Sequence, residues 1–121
     1  QYCRPLGMSK EDPTIVVQPT REEQYLGGAG IVAAHARALN SRARLVSVVG
    51  RDLSSKIVAK FLSKYDVNNS VINDASRKTT TKTRLKCEGK TLLRVSDLIE
   101  DQISKKYHPS YLTSSHSSLL Q

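Results

Sequence analysis

The chain has 121 residues, a net charge of +8 at pH 7 and a hydrophobic content of 38%. This length fits at most one domain with a modest core, and the positive charge favours anionic partners such as phosphorylated metabolites or nucleic acid. No apolar run approaches the ~20 residues that a membrane-spanning helix needs. The two cysteines, Cys3 and Cys87, lack metal-ligand spacing and make no disulfide framework, so we expect a reducing, cytoplasmic compartment.

The first 26 residues contain little regular pattern. Residues 1–13 are punctuated by two prolines and a glycine, which predicts a loop. The β-branched stretch Thr14–Gln18 predicts a short strand that Pro19 stops. We expect the polar stretch Arg21–Leu26 to return beside this strand. Because a two-stranded ribbon is marginally stable alone, such a ribbon must cover another part of the protein.

Three glycines open the next segment. Gly27, Gly28 and Gly30 precede an alanine-rich run, which predicts a turn and then a helix over about Gly30–Leu39. Alanines and Val32 lie all around this helix, which favours burial against a sheet. The unpaired N–H groups at its start favour a polar or anionic ligand, although a tight turn before a buried helix explains the glycines equally well. The spacing matches neither the dinucleotide-binding nor the P-loop pattern.

Strands and helices then alternate. The near-continuous apolar run Arg44–Val49 predicts a buried parallel strand, and Val71–Ile72 predicts another. Between them lies an apolar stripe at helical spacing, typical of a core-facing helix. With the strand at Thr14–Gln18 as its first element, this order of strand, helix, strand, helix and strand favours an α/β layer whose ligand edge lies at the carboxyl ends of the strands. The candidate N-caps of the second helix are Asp52, Ser54 and Ser55, and its stripe comprises Ile57, Val58, Phe61 and Leu62.

After Thr79 the pattern changes to a period of two. A strand over about Thr79–Cys87, a turn at Glu88-Gly89 and a returning strand over Lys90–Val95 predict an antiparallel hairpin. The hairpin has a basic face, which is explained either as a solvated edge or as a surface where Lys82 or Arg94 contacts an anionic ligand. Alternation places Lys82, Arg84 and Lys86 on one face of the first strand and Thr83, Leu85 and Cys87 on the other.

The last part of the chain is the least informative. Asp97–Lys106 could start a helix, and the serine-rich tail carries His108 and His116 without a partner at metal-ligand spacing. No Ser/His/Asp triad and no carboxylate pair can be assembled from the sequence. The residues by themselves therefore predict an α/β domain with a glycine-rich ligand turn and a basic hairpin, and no particular reaction.

Five blocks in order carry a resemblance to a known family: EDPTIVV, LGGAGIVAAHARAL, LVSVVGRD, TTTKTR and GKTLLRVS. Over about residues 5–100 the chain resembles the PfkB (ribokinase-like) carbohydrate kinases, and most of all the branch that phosphorylates heptose 7-phosphate for bacterial lipopolysaccharide precursors. The resemblance implies an α/β fold, namely part of the Rossmann-like ribokinase core with a small β-sheet lid. It also implies ATP-dependent phosphorylation of a sugar or sugar phosphate, with ATP and Mg as cofactors.

The resemblance also implies a division of the chain and a set of substrate-binding residues. Residues 1–26 would be lid strands with the loop that leads into them, residues 27–100 the N-terminal part of the core, and residues 101–121 a poorly defined polar tail. The backbone of Gly27, Gly28 and Gly30 would approach the sugar hydroxyls. Lys82 and Arg94 would border the sugar, and Arg94 suits a phosphate on the substrate because a guanidinium binds phosphate bidentately.

Departures from the family pattern limit what the resemblance implies. Ile31 stands where the family usually has a sugar-binding Asn, and Arg51 replaces the first Asp of the V-G-D-D block. The family's downstream catalytic Asp block and its ATP-binding residues have no counterpart in this sequence. We therefore expect the chain alone to be inactive and to provide the sugar side of the site.

Two further expectations concern partners. The alternative function is a small basic module that binds nucleic acid or another anion. Nucleic acid is disfavoured because no aromatic residue is interleaved with the basic face of the hairpin. A homodimer formed through the lid strands is also expected, since an exposed strand edge is able to pair with a second copy.

Overall fold

A computed structural model describes residues 1–103 of the chain, which form two compact units. The sheet unit comprises residues 1–26 and 80–97, and the helix–strand unit comprises residues 27–79 together with the segment that begins at Leu98. No helix in the described range is long and apolar enough to cross a membrane. The elements in chain order are β1 (Tyr2–Met8), β2 (Ile15–Arg21), α1 (Gly28–Ala38), β3 (Arg44–Val49), α2 (Leu53–Lys64), β4 (Asn68–Asn73), β5 (Thr81–Cys87) and β6 (Lys90–Asp97).

The sheet unit is a four-stranded mixed sheet with the order β2-β1-β5-β6. Strands β1 and β2 are antiparallel, as are β5 and β6, whereas β1 and β5 run parallel. The predicted hairpin is confirmed: Glu88 and Gly89 have φ angles of 48° and 82°. Two consecutive positive φ angles are the geometry of a type I′ turn, which matches the twist of the strands it connects.

Three predictions for the first 26 residues are wrong. The segment predicted as a loop contains β1, and Pro19 lies inside β2 rather than ending it. Each proline is tolerated because of its position. Pro5 lies beyond the short parallel pairing of β1 with β5, and β2 is the edge strand, so a missing N–H breaks few sheet hydrogen bonds. The strand that pairs with β2 is β1, and residues 22–26 form no strand.

The helix–strand unit confirms the predicted alternation of strands and helices over residues 28–73. Strands β3 and β4 pair in parallel along their whole length, from Arg44 opposite Asn68 to Val49 opposite Asn73. Helix α2 connects them, as a parallel pair requires. The strand at Thr14–Gln18, which the sequence placed at the start of this layer, lies instead in the sheet unit as part of β2.

The core of the helix–strand unit is small and one-sided. Helix α1 contacts β3 and buries Gly30, Ala33 and Ala34, whereas Val32 is 65% exposed. The predicted burial of α1 against a sheet is therefore confirmed for this face, whereas Val32 lies on an exposed face of the helix. The predicted apolar stripe of α2 is confirmed as core at Leu62, which is only 2% exposed.

The division of the chain differs from the expected one in one respect. Residues 80–97 cluster with the first 26 residues, whereas the sequence grouped residues 27–100 together. The reason is the parallel pairing of β1 with β5, a long-range contact that no local pattern reveals. Asp97 ends β6, and residues 98–103 form no helix, in contrast to the helix expected from Asp97. Residues 104–121, with both tail histidines, lie outside the described residues.

Candidate functional site

The predicted glycine turn forms the start of α1. Gly27 is the N-cap with an extended backbone, and no side chain caps the helix. Gly28 has a φ of +53°, the left-handed region that favours glycine, and a Cβ placed at either residue would meet no atom within 4 Å. Gly30 is buried, and its N–H donates to the Gly27 carbonyl at 3.2 Å. The helix start is thus uncapped and sterically open, as a site for a polar or anionic group requires.

The two predicted cationic residues lie on one face of the β5–β6 hairpin. Lys82 is opposite Ser96, and Arg84 is opposite Arg94. Residues directly opposite in a ladder share a face, and so do residues two positions apart in a strand. Lys82 and Arg94 are therefore neighbours on a diagonal. We call this surface the basic face; its members are Lys82, Arg84, Lys86 and Arg94.

Arg84 belongs to the basic face but was given no binding role in the sequence analysis. It faces Arg94 directly, and two like charges in this position destabilise a hairpin by roughly 0.2–1 kcal/mol. Within residues 1–103 no acidic side chain forms an ion pair with any member of the basic face. The period-two pattern of the sequence predicted on which face of β5 Arg84 lies. Its partner on β6 depends on the register of the two strands, and a bulge between Leu85 and Lys86 shifts that register.

A second cluster lies at the β1–β2 end of the same sheet. The Arg21 guanidinium lies 4.0 Å from the centroid of the Tyr2 ring and forms a 3.4 Å ion pair with Glu23. Glu23 also accepts hydrogen bonds from the hydroxyls of Tyr2 and Tyr25. The Tyr25 hydrogen bond, aided by Arg21, lowers the pKa of Glu23, and the same carboxylate raises the pKa of Tyr25 to about 12. Arg21 is thus neutralised locally, in contrast to the basic face.

At the carboxyl end of β3, where the sequence predicted the ligand edge, a hydrogen-bond network joins the loop after β3 to the loop after β4, beside an open cavity whose lining includes Arg51, Asp52 and Asn73. Asp52 is the N-cap of α2, as predicted, and accepts from the backbone N–H of Ser55 at 2.8 Å. It also accepts from the N–H and the hydroxyl of Thr79 at 2.7 and 2.8 Å. Above all the Thr79 N–H, which favours the carboxylate, lowers the pKa of Asp52. The Asp52 carboxylate is therefore committed to holding the loop after β4.

Gly50 fits the same network for a steric reason. A Cβ at this position would lie 2.8 Å from the amide nitrogen of Thr79 and still closer to the carbonyl oxygen of Arg77. The Gly50 N–H donates to the Thr79 hydroxyl at 2.9 Å, which completes the link between the two loops. These contacts give Gly50 and Asp52 a structural role, and the binding residues that the sequence predicted lie elsewhere, in the glycine turn and on the basic face.

The five predicted site residues thus fall into two sets. Gly27, Gly28 and Gly30 lie together at the start of α1 in the helix–strand unit. Lys82 and Arg94 lie together on the basic face of the sheet unit. The first set offers backbone N–H groups, and the second offers cationic side chains that form no ion pair with any of residues 1–103.

Comparison with known proteins relates this chain to one group of relatives. The bifunctional protein HldE of Geobacter sulfurreducens is 36% identical over 97 residues, which is 79% of this chain and 20% of the relative. HldE of Helicobacter pylori strain HPAG1 is 33% identical over 98 residues, or 80% of this chain and 21% of the relative. The chain thus spans about one fifth of the length of these curated relatives. No family model matches the chain.

Solved structures decide the fold. A carbohydrate kinase from Agrobacterium tumefaciens matches 79% of this chain with a TM-score of 0.62 and 18% identity. The chain has part of a ribokinase-like carbohydrate kinase fold. A protein from Clostridium perfringens assigned as a sugar kinase matches 94% of the chain with a TM-score of 0.55 and 14% identity. The matches cover 32% and 35% of those two proteins, and they confirm both the predicted fold and the predicted resemblance.

Proposed function

We propose that this chain provides the sugar-binding part of an ATP-dependent carbohydrate kinase that acts on a sugar phosphate of the heptose 7-phosphate class. The similarity to bifunctional HldE proteins and the partial carbohydrate kinase fold support this proposal. Because the chain spans about one fifth of these relatives, the phosphoryl transfer is assigned to a site that includes residues beyond this sequence.

The observation that carries the proposal is the uncompensated charge of the basic face. Arg84 and Arg94 lie directly opposite each other without an ion-pair partner in the described residues. A dianionic phosphate placed between them would remove their repulsion and accept bidentate hydrogen bonds from Arg94, while Lys82 adds a third charge. The backbone at Gly27, Gly28 and Gly30 would approach the sugar hydroxyls, as the resemblance implies; the space beside Gly27 and Gly28, where a Cβ would meet no atom within 4 Å, supports this for those two residues.

The cofactors of the reaction would be ATP and Mg²⁺. Residues 1–103 contain no cluster of three or more His, Cys, Asp or Glu side chains able to hold a metal ion. The resemblance implies ATP and Mg²⁺ for the whole kinase and assigns neither of them to residues of this chain. Because phosphoryl transfer depends on positioning and on charge stabilisation around the moving group, we expect the 121-residue polypeptide to show no turnover by itself.

Calorimetric titration of the 121-residue protein with heptose 7-phosphate and with the unphosphorylated heptose tests the proposal. We expect the phosphate ester to bind at least about tenfold more tightly, and Arg94→Ala to remove most of that difference. Lys90→Ala is the matched control. It removes the same charge from β6, where Lys90 is paired with Cys87 and not with a member of the basic face. Equal affinities for the two sugars, or equal losses in the two variants, would contradict the proposal.

The alternative function, a basic module for nucleic acid or another anion, has no support among the relatives. Its test is the salt dependence of oligonucleotide binding. Neutralisation of several phosphates predicts an affinity that falls steeply between low and moderate salt. We expect oligonucleotide binding to be weak at physiological salt, in contrast to a saturable sugar-phosphate site.

We also propose that two copies of the chain associate through the sheet unit and that the protein acts in the cytoplasm. The support for association is the face of the sheet opposite to the basic face, where Leu93 and Val95 are 54% and 48% exposed. Such apolar surface favours association. Light scattering of the purified protein, with Val95→Lys as the disrupting variant, measures this directly.

A further inference from the structure

We propose that Cys3 and Cys87 form a covalent modification site, at which a small disulfide compound such as oxidised glutathione converts the two thiols into an intrachain disulfide. The two residues are 84 positions apart in the sequence, yet they are direct partners in the parallel ladder between β1 and β5. Both are free cysteines, and both are buried. The proposal rests on this register and does not depend on the proposed function.

The geometry of a parallel ladder suits such a bond. Neighbouring strands lie about 4.8 Å apart, and directly opposite residues present their side chains on the same face. Disulfides join Cα atoms about 4.4–6.8 Å apart, so the two backbones are already at a bonding separation. Burial raises the pKa of the Cys87 thiol, with smaller contributions from Glu88 and from Cys3, and the contribution of Cys3 is consistent with two sulfur atoms that lie close together.

A reagent is able to reach the buried thiols because β1 and β5 are paired over only a short length. The β1–β5 ladder consists of Tyr2 opposite Lys86 and Cys3 opposite Cys87, whereas the two antiparallel ladders of the same sheet extend over most of their strands. An additional hydrogen bond joins the Lys86 N–H to the Gln1 carbonyl at 2.9 Å. Because the β1–β5 ladder has so few contacts, it opens locally at a lower free-energy cost than the rest of the sheet. Each opening exposes the thiols to a reagent.

The reaction is a pair of thiol–disulfide exchanges. The thiolate of one cysteine attacks a sulfur of the small disulfide, forms a mixed disulfide and releases one small thiol after protonation. The second cysteine, as a thiolate, then attacks the protein sulfur of the mixed disulfide and releases the second small thiol. Two electrons pass from the protein sulfurs to the small disulfide, and the two protons end on the released thiols. In a reducing compartment the bond would form only under oxidative conditions.

The first test is peptide mapping after the 121-residue protein is treated with oxidised glutathione. We expect a mass decrease of about 2 Da without a glutathione adduct. Tryptic digestion under non-reducing conditions should then yield one species that joins residues 1–10 to residues 87–90, since the Arg4-Pro5 bond resists trypsin. Cys3→Ser and Cys87→Ser are the controls and should each stop at a single mixed disulfide. Stable double adducts or disulfide-linked dimers in the wild-type protein would overturn the proposal.

The second test compares the native with the urea-unfolded protein and requires no variant. At half-conversion, the squared concentration of reduced glutathione divided by the concentration of oxidised glutathione gives the effective concentration of one thiol at the other. In the unfolded chain a long loop separates the thiols, whereas the native register holds them side by side. We expect the effective concentration to be at least about tenfold higher in the native state. Equal values in the two states would show that the fold does not bring the cysteines together, and would overturn the proposal.

Discussion

The two units of the chain use their residues in different ways. The helix–strand unit buries Leu45, Val49, Leu62 and Val67 and ties its loops together through Asp52. In the sheet unit the buried apolar residues are few: within the described chain they are Cys3, Leu26 and Cys87. Most of its remaining side chains are exposed.

This difference suggests that one unit provides most of the folding stability and the other provides the surfaces that contact other molecules. Buried apolar area is the main source of folding free energy, so the helix–strand unit should carry most of the stability. A sheet with one cationic and one apolar exposed face gains less from burial and is better suited to contact other molecules. Four substitution experiments compare the units, beginning with the largest expected effect.

Leu62→Ala should be the most destabilising of these changes. Leu62 is 2% exposed, and removal of its side chain leaves a cavity in the core of the helix–strand unit, which costs about 2–5 kcal/mol. Leu93→Ala in the sheet unit is the matched control and should cost less than about 1 kcal/mol, because Leu93 is 54% exposed. Urea denaturation followed by circular dichroism measures both. Similar losses would mean that the two units contribute equally to stability.

Asp52→Ala should cost about 1–2 kcal/mol, because it removes the N-cap of α2 and the acceptor for Thr79. The control is Ser54→Ala, a candidate cap in the sequence that the helix does not use, with an expected change below about 0.5 kcal/mol.

The pH dependence of this effect follows from the lowered pKa of Asp52. The carboxylate contributes stability above its ordinary pKa of 3.8, and that contribution is lost as the pH falls through the lower folded-state pKa. The difference in unfolding free energy between wild type and Asp52→Asn should therefore be largest near neutral pH and shrink below about pH 4. A constant difference across this range would contradict the assigned hydrogen bonds.

Gly28→Ala should cost about 1 kcal/mol, because Gly28 has a φ of +53° and an L-residue is strained there. Gly27→Ala serves as the control, since Gly27 has a φ of −111° and a Cβ at either position has open space around it. The two variants therefore differ in backbone strain and not in crowding. If Gly27→Ala is as destabilising as Gly28→Ala in urea denaturation, the cause is not the left-handed conformation.

Arg84→Ala should have the smallest effect and the opposite sign. Removal of one member of the directly opposed Arg84 and Arg94 should stabilise the protein by a few tenths of a kcal/mol at low salt. The gain should shrink as added salt screens the repulsion. The thermal unfolding midpoint at two salt concentrations measures it, with Lys90→Ala as the charge-matched control. A loss of stability that salt leaves unchanged would mean that Arg84 contributes packing instead.

Patterns that depend on neighbouring residues were readable from the sequence. The apolar run of β3, the stripe and N-cap of α2, the glycine turn before α1 and the Glu88-Gly89 turn all lie within a few positions of the residues that cause them. Helix propensity, capping and turn geometry act over this range. The ordered blocks carried the resemblance to carbohydrate kinases, which the similarity to HldE proteins together with the shared fold confirms.

Long-range pairing was decided only by the tertiary structure. Strand β1, predicted as a loop, owes its conformation to β2 and β5 on its two sides. The same pairing brings Cys3 beside Cys87, and the register of β5 with β6 sets Arg84 opposite Arg94. Each contact depends on which strands pair and on the register of the pairing. The residue period within a single strand encodes neither the partner strand nor the register. The sequence by itself thus determined the local elements and the family resemblance, whereas only the fold decided which side chains became neighbours.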